Sequence, residues 1–155
     1  MQHAITEERA TELIKACQVE ATQAIQEGNP PFACILTDAD GTILITAHNQ
    51  QNTDYDPTAH AEILALRRLG AERQTRYLQD CILFSNAESC TMCIAAAIKA
   101  HVSVFFFGAP SEGSMNPQLT VADVAAKTKT PLEIHTGILA ESCATQIAQG
   151  RATTA

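Results

Sequence analysis

The sequence predicts an α/β fold on three observations. Short apolar runs of strand length alternate with segments whose apolar residues recur every three or four positions. The densest run, Val102 to Phe107, is apolar at nearly every position, as in a strand covered on both faces. A helical crossover joins the last two strands, which makes them parallel. With 155 residues, 46% of them hydrophobic, the chain can bury about two-thirds of the surface it exposes when unfolded, so residues 1–155 are expected to form one domain.

Each element has its own signal. Thr6 to Glu27 sets Ala10, Leu13, Cys17, Ala21, Ala24 and Ile25 three or four apart among acids and amides, an amphipathic helix with Thr6 as N-cap and Gly28 just past its end. Phe32 to Thr37 and Thr42 to Ala47 flank Asp38-Ala39-Asp40-Gly41, a turn composition, and form a β-hairpin. Asp56-Pro57-Thr58 offers a cap and a first-turn proline to a helix from Ala59 to Leu69 that stops at Gly70. Cys81 to Ser85 is the third strand, and alanine-rich Thr91 to Ala100 the third helix. A polar loop from Ala109 to Gln118 leads to a short helix, Leu119 to Ala126, a strand, Leu132 to His135, and a last helix, Leu139 to Gln149. The tail from Arg151 to Ala155 is expected to fray.

A net charge of -7 repels phosphate backbones unless the basic residues gather on one face, which weighs against a nucleic-acid partner. No apolar run reaches the roughly 20 residues that cross a bilayer, and the N-terminus has no signal-peptide core, so a cytoplasmic protein is expected. A chain with a real core does not need staples, and the six cysteines are read as reduced. Cys17, Cys34, Cys81 and Cys143 then serve as small buried hydrophobes.

The chemistry concentrates in two segments. His60-Ala61-Glu62 is followed after 27 residues by Cys90-Thr91-Met92-Cys93. One imidazole and two thiolates fill three corners of a zinc tetrahedron and leave the fourth to water, the arrangement of a hydrolytic zinc, one Zn²⁺ per chain. Residues two apart on a helix point roughly 200° away from each other, so His60 and Glu62 can serve one metal only at an open first turn. Cys90 and Cys93, three apart, share a face at the start of the third helix, where free amides favour thiolates. Two thiolates cancel the charge of Zn²⁺ and make it a weaker acidifier of water, so the non-ligating Glu62 matters more. It can accept the water's proton, leaving a zinc-bound hydroxide to attack an amino-bearing ring carbon, and carry that proton to the substrate nitrogen as ammonia leaves.

Two blander interpretations of the cysteines are a redox pair and a structural zinc that recruits Cys81, Cys143 or His101. The upstream His-x-Glu has no use in the first, and Glu62 has none in the second. His48, His101 and His135 stand alone in strand or connecting positions and are taken as ordinary hydrogen-bonded or exposed histidines.

The pair His60-x-Glu62 and Cys90-x-x-Cys93 resembles the zinc deaminase signature, and the stretch Asp56 to Ile63 resembles the matching segment of guanine deaminases and tRNA adenosine deaminases. The resemblance covers Pro31 to Ala148. It implies a three-layer α/β/α sandwich of the cytidine deaminase-like kind, with a central five-stranded mixed sheet. It further implies that Asn49 hydrogen-bonds the substrate ring, that the Ala61 amide binds a ring carbonyl, and that Phe32 stacks on the base; a core position explains Phe32 equally well. Ser89 stands where the family has proline, and can cap the helix instead.

Substrate choice rests on charge. An acidic chain favours a small nucleobase such as guanine over tRNA, although Gly137 to Cys143 resembles the tRNA branch. Residues 149–155 hold no aromatic to close the site as in guanine deaminases, which leaves the loop Ala109 to Gln118, where Glu112 can accept from the N–H edge of a guanine-like ring or remain a solvated acid. The alternatives are a tRNA adenosine deaminase, a cytosine or nucleoside deaminase, and a zinc-stabilised binding module. Ala95, Ala96, Ala97 and Ala100 allow close helix approach, and the resemblance implies a homodimer formed near them.

Overall fold

The computed structural model describes residues 1–113 and 115–153. Thr6 caps helix α1 (Glu7–Gln26), its hydroxyl accepting the Arg9 amide at 3.0 Å, and the helix buries the predicted face, Ala10, Leu13, Cys17, Ala21 and Ala24, together with Ile14. Strands β1 (Ala33–Thr37) and β2 (Ile43–His48) form the hairpin, whose turn is tied by the Asp38 carboxylate accepting the Asp40 and Thr42 amides. The remaining elements are α2 (Gln51–Asp54), α3 (Ala61–Arg73), β3 (Ile82–Ala87), α4 (Thr91–Lys99), β4 (Val104–Ala109), α5 (Val121–Ala125), β5 (Glu133–His135) and α6 (Ala140–Thr153).

The strands make one mixed sheet in the order β2-β1-β3-β4-β5. Strand β1 runs antiparallel to β2 and β3, while β3, β4 and β5 are mutually parallel, so the parallel pairing inferred for the last two strands extends to a third. Helices α3, α4 and α5 cover one face and α1 and α6 the other, which gives the three-layer α/β/α sandwich. The phenylalanine run serves both layers. Phe105 and Phe107 enter the α3–α4 core, and Phe106 enters the α1–α6 core against Phe84, with ring centroids 4.8 Å apart. Each such side chain contributes roughly 1.5–3 kcal/mol on burial, so β4 anchors both layers at once.

Four expectations are corrected. Helix α3 starts at Ala61, not Ala59, because Asp56 spends its carboxylate on the Thr58 amide and hydroxyl, at 2.8 and 2.7 Å, and closes its own turn. The helix also continues through Gly70 to Arg73; a Cβ at Gly70 would lie 2.9 Å from the Thr75 carbonyl oxygen, so this glycine admits the chain folding back. Helix α2 was not foreseen. It is held by Asn29, whose side-chain oxygen accepts the Asn52 and Thr53 amides. Finally, α6 runs through Arg151 to Thr153 where fraying was expected; Thr154 and Ala155 lie outside the described residues.

Candidate metal centre and substrate pocket

Two helix starts meet at the end of the sheet where β3 and β4 finish. His60 is the N-cap of α3 and Cys90 the N-cap of α4, both in extended backbone and neither using its side chain to cap. That frees both side chains to turn outward. His60 Nδ1 lies 3.6 Å from Cys90 Sγ and 3.4 Å from Cys93 Sγ, the latter one turn into α4 and fully buried. Three soft or borderline donors within 4.8 Å of one another suit zinc. The protonation of the set fits as well. The Cys93 thiol, then His60, hydrogen-bond to Cys90 and push its thiol down to about 4, while that same bond and burial push Cys93 up. Of the two sulfurs, Cys90 is therefore the one that ionises more readily.

Glu62 follows in the first turn of α3, and its side chain lines the pocket beside His60 as the open-turn argument requires. It is 6% exposed. Burial raises its pKa, with His60 pulling the other way, so the carboxyl holds a proton more readily than an exposed acid would. Ser89, where the resemblance has a proline, has a buried hydroxyl with no hydrogen-bond partner of ordinary geometry among the described residues, but it lies close enough to the Glu62 carboxylate to lower that group's pKa.

The pocket above these groups has a volume of about 370 Å³, within the range of single-ligand sites. Asn49 lines it, with its amide oxygen accepting the Gln51 N–H at 2.9 Å and its NH₂ donating to Gln51 Oε1 at 2.7 Å. Phe32 forms a half-buried wall, anchored by a backbone bond from the Asn49 amide to the Phe32 carbonyl. Ala61 is buried at the first turn of α3, where amides lack intrahelical acceptors. Glu112 lies at the mouth, but its carboxylate accepts from Arg151 at 2.7 Å. Ser114, in the same loop, lies outside the described residues.

The structure adds groups that no motif flagged. Arg151 reaches the mouth from α6 and sits 5.5 Å over the Phe32 ring. Gly150 makes this possible, because a Cβ there would fall 2.5 Å from Pro31 Cβ. Asn86 is fully buried under the same segment, accepting the Ala33 amide and donating to the Pro31 carbonyl. A lone buried asparagine in a strand was the only signal available for it.

Residues 7–109 match the family model of the cytidine and deoxycytidylate deaminase zinc-binding region. The chain belongs to this family. It is 32% identical over 129 residues to a tRNA-specific adenosine deaminase of Haemophilus influenzae, covering 82% of this chain and 74% of that protein. It is 37% identical over 79 residues to a guanine deaminase of Bacillus subtilis, about half of each chain. A third relative, a tRNA(Ile)-lysidine synthase of Deinococcus radiodurans, is 37% identical over 97 residues, and there this chain spans only 17% of the partner's length. The chain spans 63% of a tRNA-specific adenosine deaminase of Aquifex aeolicus. The fold matches the guanine deaminase structure from Nitrosomonas europaea with a TM-score of 0.73 at 23% identity, over 98% of this chain and 87% of that one.

Proposed function

We propose that the chain is a zinc-dependent aminohydrolase that converts a small aminated heterocycle to the carbonyl form with release of ammonia, and that its substrate is a free nucleobase such as guanine. The observation that carries this is Glu62, a buried carboxylate beside a three-donor metal set. His60, Cys90 and Cys93 would hold the ion. Zinc bound by three protein ligands supplies a water of lowered pKa and a positive charge where negative charge develops. Glu62 would take one proton from the water and deliver it to the ring nitrogen, then take the second from the newly added hydroxyl and deliver it to the departing amino nitrogen, which leaves the carbonyl and releases ammonia, a sequence that a raised carboxyl pKa favours. Asn49 and the Ala61 amide orient the ring, Phe32 covers its face, and Glu112 faces its N–H edge once released from Arg151.

Charge around the mouth supports a small, uncharged substrate. The acids Glu62, Glu88 and Glu112 line the pocket against one guanidinium, that of Arg151. A basic groove does exist, holding Arg67, Arg76, Lys99 and His101, but it lies at the C-terminal ends of α3 and α4. The nine residues of α4 put it about 13 Å from the metal ligands. The names of two relatives and this groove favour tRNA adenosine deamination as the second reading. A panel of guanine, cytosine, adenine, their nucleosides and an anticodon stem-loop separates the two. Ammonia from a free base supports the first. Inosine in the stem-loop with steep salt dependence replaces it with the second. Zinc-loaded protein that releases no ammonia from any of them overturns both, and four protein ligands by X-ray absorption would then indicate a binding module.

Pairing of two chains through α4 belongs to the same proposal, since Ala95 and Ala96 are small and only half-buried. A fully active monomer in sedimentation would remove it.

A further inference from the structure

Away from the pocket, one cluster gathers metal-ligating groups that the reaction does not use. Glu133 and His135 are two apart on β5 and share one side of the strand. His3 joins them from the segment ahead of α1. A single oxygen, Glu133 Oε2, meets His3 Nε2 at 2.6 Å and His135 Nε2 at 2.7 Å. Phe106 orders both rings, taking His3 edge-on at 5.8 Å and stacking flat under His135 at 4.4 Å.

We propose that His3, Glu133 and His135 form a second metal site, one that takes a divalent transition-metal ion such as Zn²⁺ or Co²⁺. Two imidazoles and a carboxylate on one side of an ion leave the other positions to water, and imidazole selects these ions over Mg²⁺. The three donor atoms lie within 4.8 Å of one another. Bonds of about 2.0–2.2 Å set neighbouring ligands about 3–3.5 Å apart, so the two Glu133–histidine pairs, at 2.6 and 2.7 Å, must open to admit the ion. The side chains of Glu133 and His135, 44% and 46% exposed, can rotate to do so, while His3 at 13% is the fixed anchor. Loading replaces both Nε2–H···Oε2 hydrogen bonds by bonds to the ion and costs one further contact. The Ile5 amide donates to His3 Nδ1 at 3.2 Å, which leaves the ring proton on Nε2. Ligation through Nε2 moves that proton to Nδ1 and breaks this long bond. In return the ion ties the N-terminal segment to the edge strand β5.

The site contains no sulfur and does not depend on the aminohydrolase reading. Its test uses the full chain, first loaded with zinc and then equilibrated with micromolar Zn²⁺ or Co²⁺. The wild type is expected to hold about one equivalent more than Glu133→Gln or His135→Ala. Its Tm should rise with added Zn²⁺ while the variants' Tm does not. Glu133→Gln keeps side-chain volume, and unchanged circular dichroism shows that it folds. In cobalt-exchanged protein, thiolate charge-transfer bands report the His60, Cys90 and Cys93 centre and persist in both variants. Their absence from the wild type would count against that centre alone, since the difference in equivalents reports the second. Equal metal content in wild type and both variants overturns the second site, as does an equal rise of Tm with Mg²⁺.

Discussion

The floor of the pocket and its rim are built by opposite means. The floor is made of two helix starts, with His60 and Glu62 on one and Cys90 and Cys93 on the other, so that short stretches of sequence set the chemistry and burial protects it. The rim brings together Phe32 before β1, Glu112 after β4 and Arg151 near the end of α6, and its central contact is an ion pair with side chains 61% and 45% exposed. Exposed pairs contribute at most about 1 kcal/mol. The floor therefore tolerates little change, whereas the rim can vary at small cost and is where related chains can differ in substrate.

The largest expected effect tests the floor. Glu62→Gln removes the proposed proton carrier while leaving the three candidate metal donors, so zinc content should stay at about one per chain and kcat should fall about a thousandfold or more. Metal analysis beside ammonia release checks it. Zinc lost along with activity would show that Glu62 holds the structure of the centre.

A smaller effect tests how the rim is held. Gly150→Ala would ordinarily gain about 1 kcal/mol in a helix, but its Cβ would overlap Pro31 Cβ at 2.5 Å and Ile25 Cδ1 at 2.9 Å. The overlap wins, and the net loss should be about 1–3 kcal/mol in urea unfolding, with KM raised as Pro31 and the adjoining Phe32 wall are displaced. Arg151→Ala frees Glu112 for the ring's N–H edge, so KM should fall a few-fold, and stability should stay within about 1 kcal/mol of wild type, because what is lost is an exposed ion pair and an exposed contact with the Phe32 ring. A change in kcat with KM constant in either variant would move Arg151 from the rim to the chemistry.

The same contrast decides what was legible in the sequence. The meeting of His60, Cys90 and Cys93 beside Glu62 could be anticipated because spacing within one helical turn is a local property, and the alternation of Phe105, Phe106 and Phe107 between two cores follows from strand geometry alone. What stayed hidden depends on partners far along the chain. His48 and His135 look solitary in sequence, yet Glu20 and Glu27 of α1 hold one and His3 and Glu133 flank the other. The four residues of α2 carry no capping signal, and Asn29 supplies their support from 23 residues upstream of Asn52. Asp56 and Gly70 were assigned to the two ends of one helix, but Asp56 closes its own turn, and Gly70 lies inside the helix and admits the chain that folds back beyond it.

The smallest expected effect is a pH dependence of stability at the α1–β2 contact, far from both floor and rim. Burial alone would lower the pKa of His48, but hydrogen bonds to Glu20 at 2.7 Å and Glu27 at 3.0 Å outweigh it and raise the pKa above 6.5. The Glu27 carboxyl, bonded by Gln23 and then by His48, is held below its ordinary value. A raised histidine stabilises fully below its unfolded pKa of about 6.5 and loses that contribution as the pH climbs through the folded value. A depressed carboxylate stabilises above its unfolded pKa and loses the contribution as the pH falls through the folded value. The contact is therefore strongest in mildly acidic solution, between the two. Thermal melts from pH 5 to pH 9 should show Tm drifting down above about pH 6.5 in the wild type and a flatter profile in His48→Gln. Equal slopes in the two proteins would mean that His48 stays neutral between its two acids and donates to only one of them.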